Sequence, residues 1–547
     1  MTLEDLRVPA PSTPSADTDS GAAPAQARPG GRLVAVAVVV VLVVAVVARF
    51  ATVAHLWLDE ALTVNIARLP LGDLSQALRH DGSPPFYYLV LHGWMAVFGD
   101  GDVAVRAFSG LVAVAALPLA WLVGRRLGGR PAAWGALLLL ASSPFAIRYA
   151  TETRMYSLVI LLVLGGYLAL DAVLDRRSSV ASVVLGGATG ALLLTHYWSF
   201  FLVLTVAGSL LVSALRARRR GDTDASSSGR RAGALQAVLA MAAGSLLFVP
   251  WIPDFLYQAA NTGTPWGRLP PPRVPFDVVF QFAAGLPDLS LPLGLLVYAL
   301  VVLGIFGLPA VGGVVGLDLR GRSPGRTLAV VAVVTLTVGV AVGRISGAAF
   351  AVRYAAVVFP LVVLIAGLGY AVLAPSRAGP WALGLAVVLG FATSIPFAAG
   401  DRTSAAVVAE VLRDRARPGD VVAYCPDQLG PGVSRLLDRD PGAADPGAGE
   451  LVQLTFPRGT PPEFVDWIGY EEAVKAARPA DFARMLLDRA GPDHDVWVVW
   501  APSYRTFGVK CQLMMDELRR ARGSDLRLVK VSSKNFERPG LALYPHG

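Results

Sequence analysis

Apolar residues run in blocks through the chain up to about residue 400, and many of those blocks are too long for a helix of a soluble protein. The first, 33–47, is continuously apolar, and others follow at 103–124, 131–148, 155–174, 180–197, 199–215, 233–251, 290–316, 328–345, 355–374 and 380–398. A helix of about 20 apolar residues crosses the hydrocarbon core of a bilayer, so the pattern predicts about eleven spans. Arginines gather between the blocks. Arg28 and Arg32 precede the first, Arg125, Arg126 and Arg130 follow the second, and Arg176 and Arg177 the fourth. A cluster at 216–231 follows the sixth, Arg320, Arg322 and Arg326 the eighth, and Arg377 the tenth. With every block spanning, all these clusters share one side with the amino terminus. The bias of positive charge toward the cytoplasm makes that side cytoplasmic, and an odd number of spans puts the carboxy terminus outside.

The remaining segments divide the chain further. Residues 1–31 are rich in Pro, Ala, Ser and Asp without an apolar period, and read as a disordered cytoplasmic tail. A cleaved signal peptide would share the basic start and apolar run, but the polar tail before it is long. Between the first two spans, the stretch 51–102 holds an amphipathic piece at 71–78 and an apolar one at 85–98. Both are too short to span, and read as helices lying in the outer interface. A second exterior stretch, about 251–291, reads as a loop long enough to serve as a lid. After about residue 400 helix-like segments (405–415, 479–489, 511–522) alternate with β-rich runs (420–424, 495–500, 526–531), which predicts a small α/β domain. The expected architecture is therefore a polytopic α-helical membrane protein. Its parts are a tail (1–31), a transmembrane domain (32–399) and an exterior α/β domain (400–547).

Composition agrees with lipid as the main solvent: of 547 residues 54% are hydrophobic and 16% charged, against a charged share of roughly 25% in soluble domains. The net charge of +8 sits in short clusters between spans rather than on one basic face, which argues against nucleic acid as a partner. Two cysteines, Cys425 and Cys511, exclude a disulfide-rich scaffold and a cysteine-built zinc centre. A disulfide between them and two separately buried thiols are both open.

The candidate chemistry lies outside the first span. Trp57-Leu58-Asp59-Glu60 places two carboxylates at a membrane edge, where acids are costly unless solvated or functional. In the same stretch come His80-Asp81 and Pro84-Pro85-Phe86-Tyr87-Tyr88, and later Glu152-Thr153-Arg154-Met155-Tyr156, Thr195-His196-Tyr197 and Arg353-Tyr354. This combination resembles the membrane-embedded C-type glycosyltransferases, in particular the family-39-like group related to protein O-mannosyltransferases and to the aminoarabinose transferase of lipid A. The resemblance covers about residues 33–400 and does not extend to the carboxy-terminal domain.

The resemblance implies transfer of a sugar, mannose- or arabinose-like, from a polyprenyl-phosphate carrier with inversion at the anomeric carbon. The acceptor would be a hydroxyl of a glycan, lipid or protein at the outer face of the plasma membrane. Carried onto this chain, Asp59 is the general base and Glu60 orients the base or the substrate. Arg353, then Arg154, are the candidates to hold the departing phosphate, where a guanidinium makes bidentate contacts. His80, Asp81, Tyr87, Glu152, Tyr156, His196, Tyr197 and Tyr354 are candidate substrate contacts. Ordinary structural roles stay open for several: a snorkelling interfacial arginine for Arg353, neutralisation by Glu152 for Arg154, a loop or capping role for His80, and a satisfied buried histidine for His196. No cofactor is required. A divalent cation held by Asp59 with Asp81 or His80 would suit hard oxygen ligands, although the sequence has no Asp-rich ligand loop. Two other functions compete. A carrier-lipid flippase would place its ionisable groups near the midplane in two similar halves, and a non-catalytic envelope scaffold would leave Asp59 and Glu60 idle.

Overall fold

The computed structural model describes residues 29–219, 225–263, 267–285, 287–321, 323–438, 451–502, 504–531 and 535–546. The expected tail lies outside these residues except at 29–31, where the first helix starts. The helical region comprises α1 (Pro29–Ala48), α2 (Leu58–Ala67), α3 (Leu71–Asp81), α4 (Phe86–Phe98), α5 (Asp102–Ser142), α6 (Pro144–Ala150), α7 (Tyr156–Arg176), α8 (Ser179–Thr195) and α9 (Ser199–Arg219). It continues with α10 (Ala225–Ser245), α11 (Ile252–Asn261), α12 (Val274–Phe282) and α13 (Pro287–Phe306). A hairpin of β1 (Gly307–Val311) and β2 (Val314–Leu317) then leads to α14 (Pro324–Ser346), α15 (Phe359–Leu373) and α16 (Ala378–Ala399).

Each apolar block expected to span is helical over most of its length, but the block 290–316 leaves the helix after Phe306 and ends in the β1–β2 hairpin. Among the described residues seven helices are long and apolar enough to cross a membrane, fewer than the about eleven spans that apolar length predicts. Part of the difference lies in three apolar helices, Arg32–Ala48, Ser179–Thr195 and Phe359–Leu373, that are shorter. The rest lies in α5, which contains two of the expected spans. Gly128 and Gly129 leave helical geometry inside it, Gly129 at φ +70°. A Cβ on Gly124 would stand 2.8 Å from the carbonyl oxygen of Ala132, whereas a straight helix would hold these residues about 12 Å apart. The two halves of α5 therefore double back on each other. Close approach through glycine also joins α13 to α15: a Cβ on Gly304 would lie 2.0 Å from Ile365 O, and one on Gly369 1.8 Å from Leu300 O. Small residues let backbones pack where lipid supplies no hydrophobic drive between helices.

The expected interfacial pieces are α3 and α4. The stretch read as a lid loop instead carries α11 and α12. Each has proline in its first turn, the one helical site where proline fits because that N–H lacks a partner in any case.

Beyond α16 the chain forms α17 (Ala405–Arg415), β3 (Val421–Cys425), α18 (Gly430–Asp438), β4 (Val452–Thr455), α19 (Tyr470–Ala476), α20 (Pro479–Ala490), β5 (Val496–Trp500), α21 (Lys510–Arg522), β6 (Leu526–Val529) and β7 (Gly540–Tyr544). The strand order is β4-β3-β5-β7-β6, parallel across β4, β3 and β5 and antiparallel at β7 and β6. Alternation along the strands feeds two cores. Val421, Ala423 and Cys425 pack with Phe482, Leu486, Met514 and Leu518 of α20 and α21. Val422 and Tyr424 face Val408 and Leu412 of α17. Cys425 and Cys511 form a disulfide, tying β3 to α21. The architecture is thus a polytopic helical membrane protein with an α/β region in its carboxy-terminal part.

Candidate active site

The site starts at α2, which opens directly with Leu58-Asp59-Glu60. Carboxylates suit the positive end of a helix, and consecutive helical residues project about 100° apart, so the two acids part company. Glu60 is fully buried. Its Oε1 accepts from Arg106 Nε at 2.8 Å and from the Thr153 backbone N–H at 2.9 Å. Its Oε2 accepts from Arg106 Nη2 at 2.6 Å, with Arg402 Nη1 3.7 Å away. Glu152, also buried, stands 3.2 Å from Arg148 Nε and 3.6 Å from Arg402 Nη1. Arg402 further donates to the Thr151 carbonyl and hydroxyl at 2.9 and 2.6 Å. A buried ion network of this kind holds only when nearly every charge has partners, and it pins the turn 151–155 to α2.

That turn delivers Arg154. Its Nη1 lies 2.7 Å from Thr63 Oγ1 and 3.3 Å from the Asp59 carbonyl. Arg353 arrives from the 3-10 turn Val352–Val357, its Nη1 3.2 Å from Asp59 Oδ2. Burial works against the Arg353 charge, but Asp59 beside it keeps the guanidinium well above its ordinary pKa. Asp81, at the end of α3, accepts from Tyr88 Oη at 2.9 Å. Burial raises its pKa, opposed by the Arg154 charge. His196 lies just past α8 with its ring between Tyr156 and Tyr354, at centroid distances of 5.7 and 5.8 Å. Its Nδ1 accepts from the Trp198 N–H at 3.2 Å. With Nδ1 accepting, the neutral ring carries its proton on Nε2.

These groups surround a cavity of about 1060 Å³, lined by Asp59, Asp81, Arg154 and Arg353 together with Tyr156, His196, Tyr197 and Tyr354. The other expected site residues lie elsewhere. Glu60 and Glu152 belong to the buried network behind the wall. His80 turns to Asp466, its Nδ1 2.8 Å from Oδ1, and Tyr87 is buried with its hydroxyl 3.2 Å from Ser109 Oγ. Of the residues expected to hold a cation, Asp59 and Asp81 line the cavity and His80 does not, and among the described residues no group of three or more His, Cys, Asp or Glu could hold a metal ion.

Sequence reading missed one wall. Gln258 of α11 lines the cavity, as do Tyr504, Arg505, Phe536, Glu537 and Arg538 of the carboxy-terminal region. Gln258 is held by Tyr197 Oη, which itself accepts from Trp251 Nε1 at 3.0 Å. Glu537 is buried, and burial pushes its pKa up to about 7. No local motif marks these residues, since each reaches the cavity only by tertiary packing.

The fold is the one found in membrane-embedded C-type glycosyltransferases. Residues 82–224 match the family model of dolichyl-phosphate-mannose-protein mannosyltransferases. Among solved structures the chain is similar to ArnT from Cupriavidus metallidurans in the apo state, at 14% identity and a TM-score of 0.57, over 94% of this chain and 98% of that one. It is also similar to the same organism's ArnT bound to undecaprenyl phosphate, at 14% identity and a TM-score of 0.55 over the same shares. Comparison with curated protein sequences finds no match.

Proposed function

We propose that the protein is an inverting glycosyltransferase that moves a mannose- or arabinose-like sugar from a polyprenyl-phosphate carrier to an acceptor hydroxyl at the outer face of the plasma membrane. The observation that carries this reading is the meeting of Asp59 Oδ2 and Arg353 Nη1 across 3.2 Å in a large cavity, with Arg154 alongside. Asp59 takes the proton of the acceptor hydroxyl as its oxygen bonds to the anomeric carbon. The bond from that carbon to the phosphate oxygen breaks on the opposite face. Arg353 and Arg154 receive the negative charge that grows on the leaving phosphate, which is where a fixed cation contributes most. Before substrate enters, Arg353 and Asp59 neutralise each other. A carrier phosphate competes for the guanidinium and so releases the carboxylate to act as base.

Several observations support the arrangement around this step. The undecaprenyl phosphate bound by the similar ArnT is a carrier of the proposed kind. The arginine clusters favour a cytoplasmic amino terminus, and the Cys425–Cys511 disulfide favours an oxidising compartment for the carboxy-terminal part. On this reading residues 32–399 form the catalytic domain and 400–547 an exterior domain. The test is single-turnover transfer by purified protein from a labelled polyprenyl-phosphate sugar. Wild type should transfer, Asp59→Asn should bind carrier yet lose turnover, and Arg353→Ala should stay folded yet lose turnover. Full activity in Asp59→Asn removes the base assignment, and movement of carrier across liposomes without transfer replaces the enzyme with a flippase.

A further inference from the structure

Helix α2 starts without a cap from its own sequence: Trp57, at the N-cap, has no side-chain hydrogen bond to the first turn. The N–H of Leu58, one residue before Asp59, needs an acceptor from elsewhere, because the first N–H groups of a helix have no partner inside it. Glu537 supplies that acceptor. Its Oε1 lies 3.2 Å from Leu58 N, across a sequence separation of 479. Its Oε2 accepts from the Thr403 hydroxyl at 2.6 Å, and the side chain is buried. The flanking residues grip the same place. Phe536 packs edge-on against Trp57 with centroids 5.0 Å apart, and Asn535 Nδ2 lies 3.3 Å from Ser404 Oγ. Glu537 lines the same cavity as Asp59.

We infer that Glu537 is a positioning residue for Asp59, acting as the missing cap of α2 and making the carboxy-terminal region a working part of the active centre. The inference deepens the proposed sugar transfer and rests on Asp59 being its base. A carboxylate at a helix start both accepts the unpartnered N–H and favours the positive end of the helix. Asp59 lies in the first turn, so its approach to the acceptor oxygen follows the position of that turn. A general base works only within hydrogen-bond reach of the proton it takes, and a misplacement of about 1 Å costs about 100-fold in rate. Glu537 makes no covalent change and does not itself take the acceptor proton.

The test compares kcat and KM for the full-length protein with a polyprenyl-phosphate sugar. Glu537→Ala should lower kcat by about 10- to 100-fold at unchanged carrier KM. Glu537→Gln should restore most of kcat, because its amide oxygen can accept the same N–H. Thr403→Val, which removes the hydroxyl that orients the carboxylate, should lower kcat by a smaller factor in the same pattern. A folded Glu537→Ala protein with normal kcat overturns the inference, and so does one whose loss lies in KM alone or is not rescued by glutamine. If Glu537→Ala does not fold, Thr403→Val decides: normal kcat overturns the inference and reduced kcat at unchanged KM supports it. Asp59→Asn in the same assay separates the two levels. Its full activity sinks the reading of the reaction, whereas its inactivity beside a normal Glu537→Ala sinks only the role given to Glu537.

Discussion

The helical region and the carboxy-terminal α/β region solve the burial problem in opposite ways. In the helical region large apolar side chains such as Leu33, Val180, Val183 and Trp381 point outward, because the surrounding solvent is lipid, and helices meet through glycines such as Gly304 and Gly369. Its buried charges collect at one end, where Glu60 and Glu152 share Arg106, Arg148 and Arg402. In the α/β region the sheet turns its apolar residues inward on both faces, and a disulfide ties strand to helix. The cavity lies where the two regions meet and draws side chains from both. The difference teaches that a buried charge in the helical region needs fixed partners, carboxylates for Arg106, Arg148 and Arg402 and the carbonyls of Ala45, Leu140 and Ala141 for Arg49. The charges lining the cavity stand outside the Glu60–Glu152 network.

The sharpest way to break this comparison is to neutralise the two adjacent acids of α2 separately. Asp59→Asn should reduce turnover by roughly 10²- to 10⁴-fold with little change in thermal midpoint. Glu60→Gln leaves buried guanidinium charge without its partner and should destabilise the fold by about 3–5 kcal/mol, read as a lower midpoint in a thermal unfolding assay. Equal behaviour of the two variants would mean that the cavity wall does not separate their roles. Next in size, replacing both Cys425 and Cys511 by serine should cost about 2–4 kcal/mol. The loss should appear as easier proteolysis within residues 400–547 while the helical region stays resistant. Loss of protection in both regions at once would show that they unfold as one unit.

The smallest effect is in pH. Burial pushes Glu537 and Asp427 up to about 7 in the folded protein, above the ordinary values of 4.5 and 3.8. Between those limits the folded state holds protons that the unfolded chain has released, so their contribution to stability is full at the acid end and is lost as pH rises through about 7. The thermal midpoint should therefore fall between pH 5 and 8, and the double variant Glu537→Gln with Asp427→Asn should flatten that slope. An unchanged slope would assign the dependence to other groups.

Much was legible without coordinates. Apolar block length marked where the membrane helices run, and the alternation of helix-like and β-rich segments after residue 400 anticipated α17, α20, α21, β3, β5 and β6. Strands β4 and β7 escaped, although they are as long as β6 and β3. The motifs around Asp59, Asp81, Arg154, His196 and Arg353 named residues that line one cavity. His80, Tyr87 and Glu152, equally prominent in the same motifs, turn away from it.

What the chain determined by itself is therefore local: which stretches are helical, which prefer lipid, and which short segments carry acids, arginines and aromatic rings. Those follow from side-chain chemistry repeated at helical or strand period. Only the tertiary structure decided that Asp59 and not Glu60 faces the cavity, that Arg353 meets it, and that a glutamate near the far end of the chain caps its helix. Neighbouring residues on a helix diverge by about 100°, and the direction that becomes cavity or core is set by distant segments whose packing no local pattern encodes.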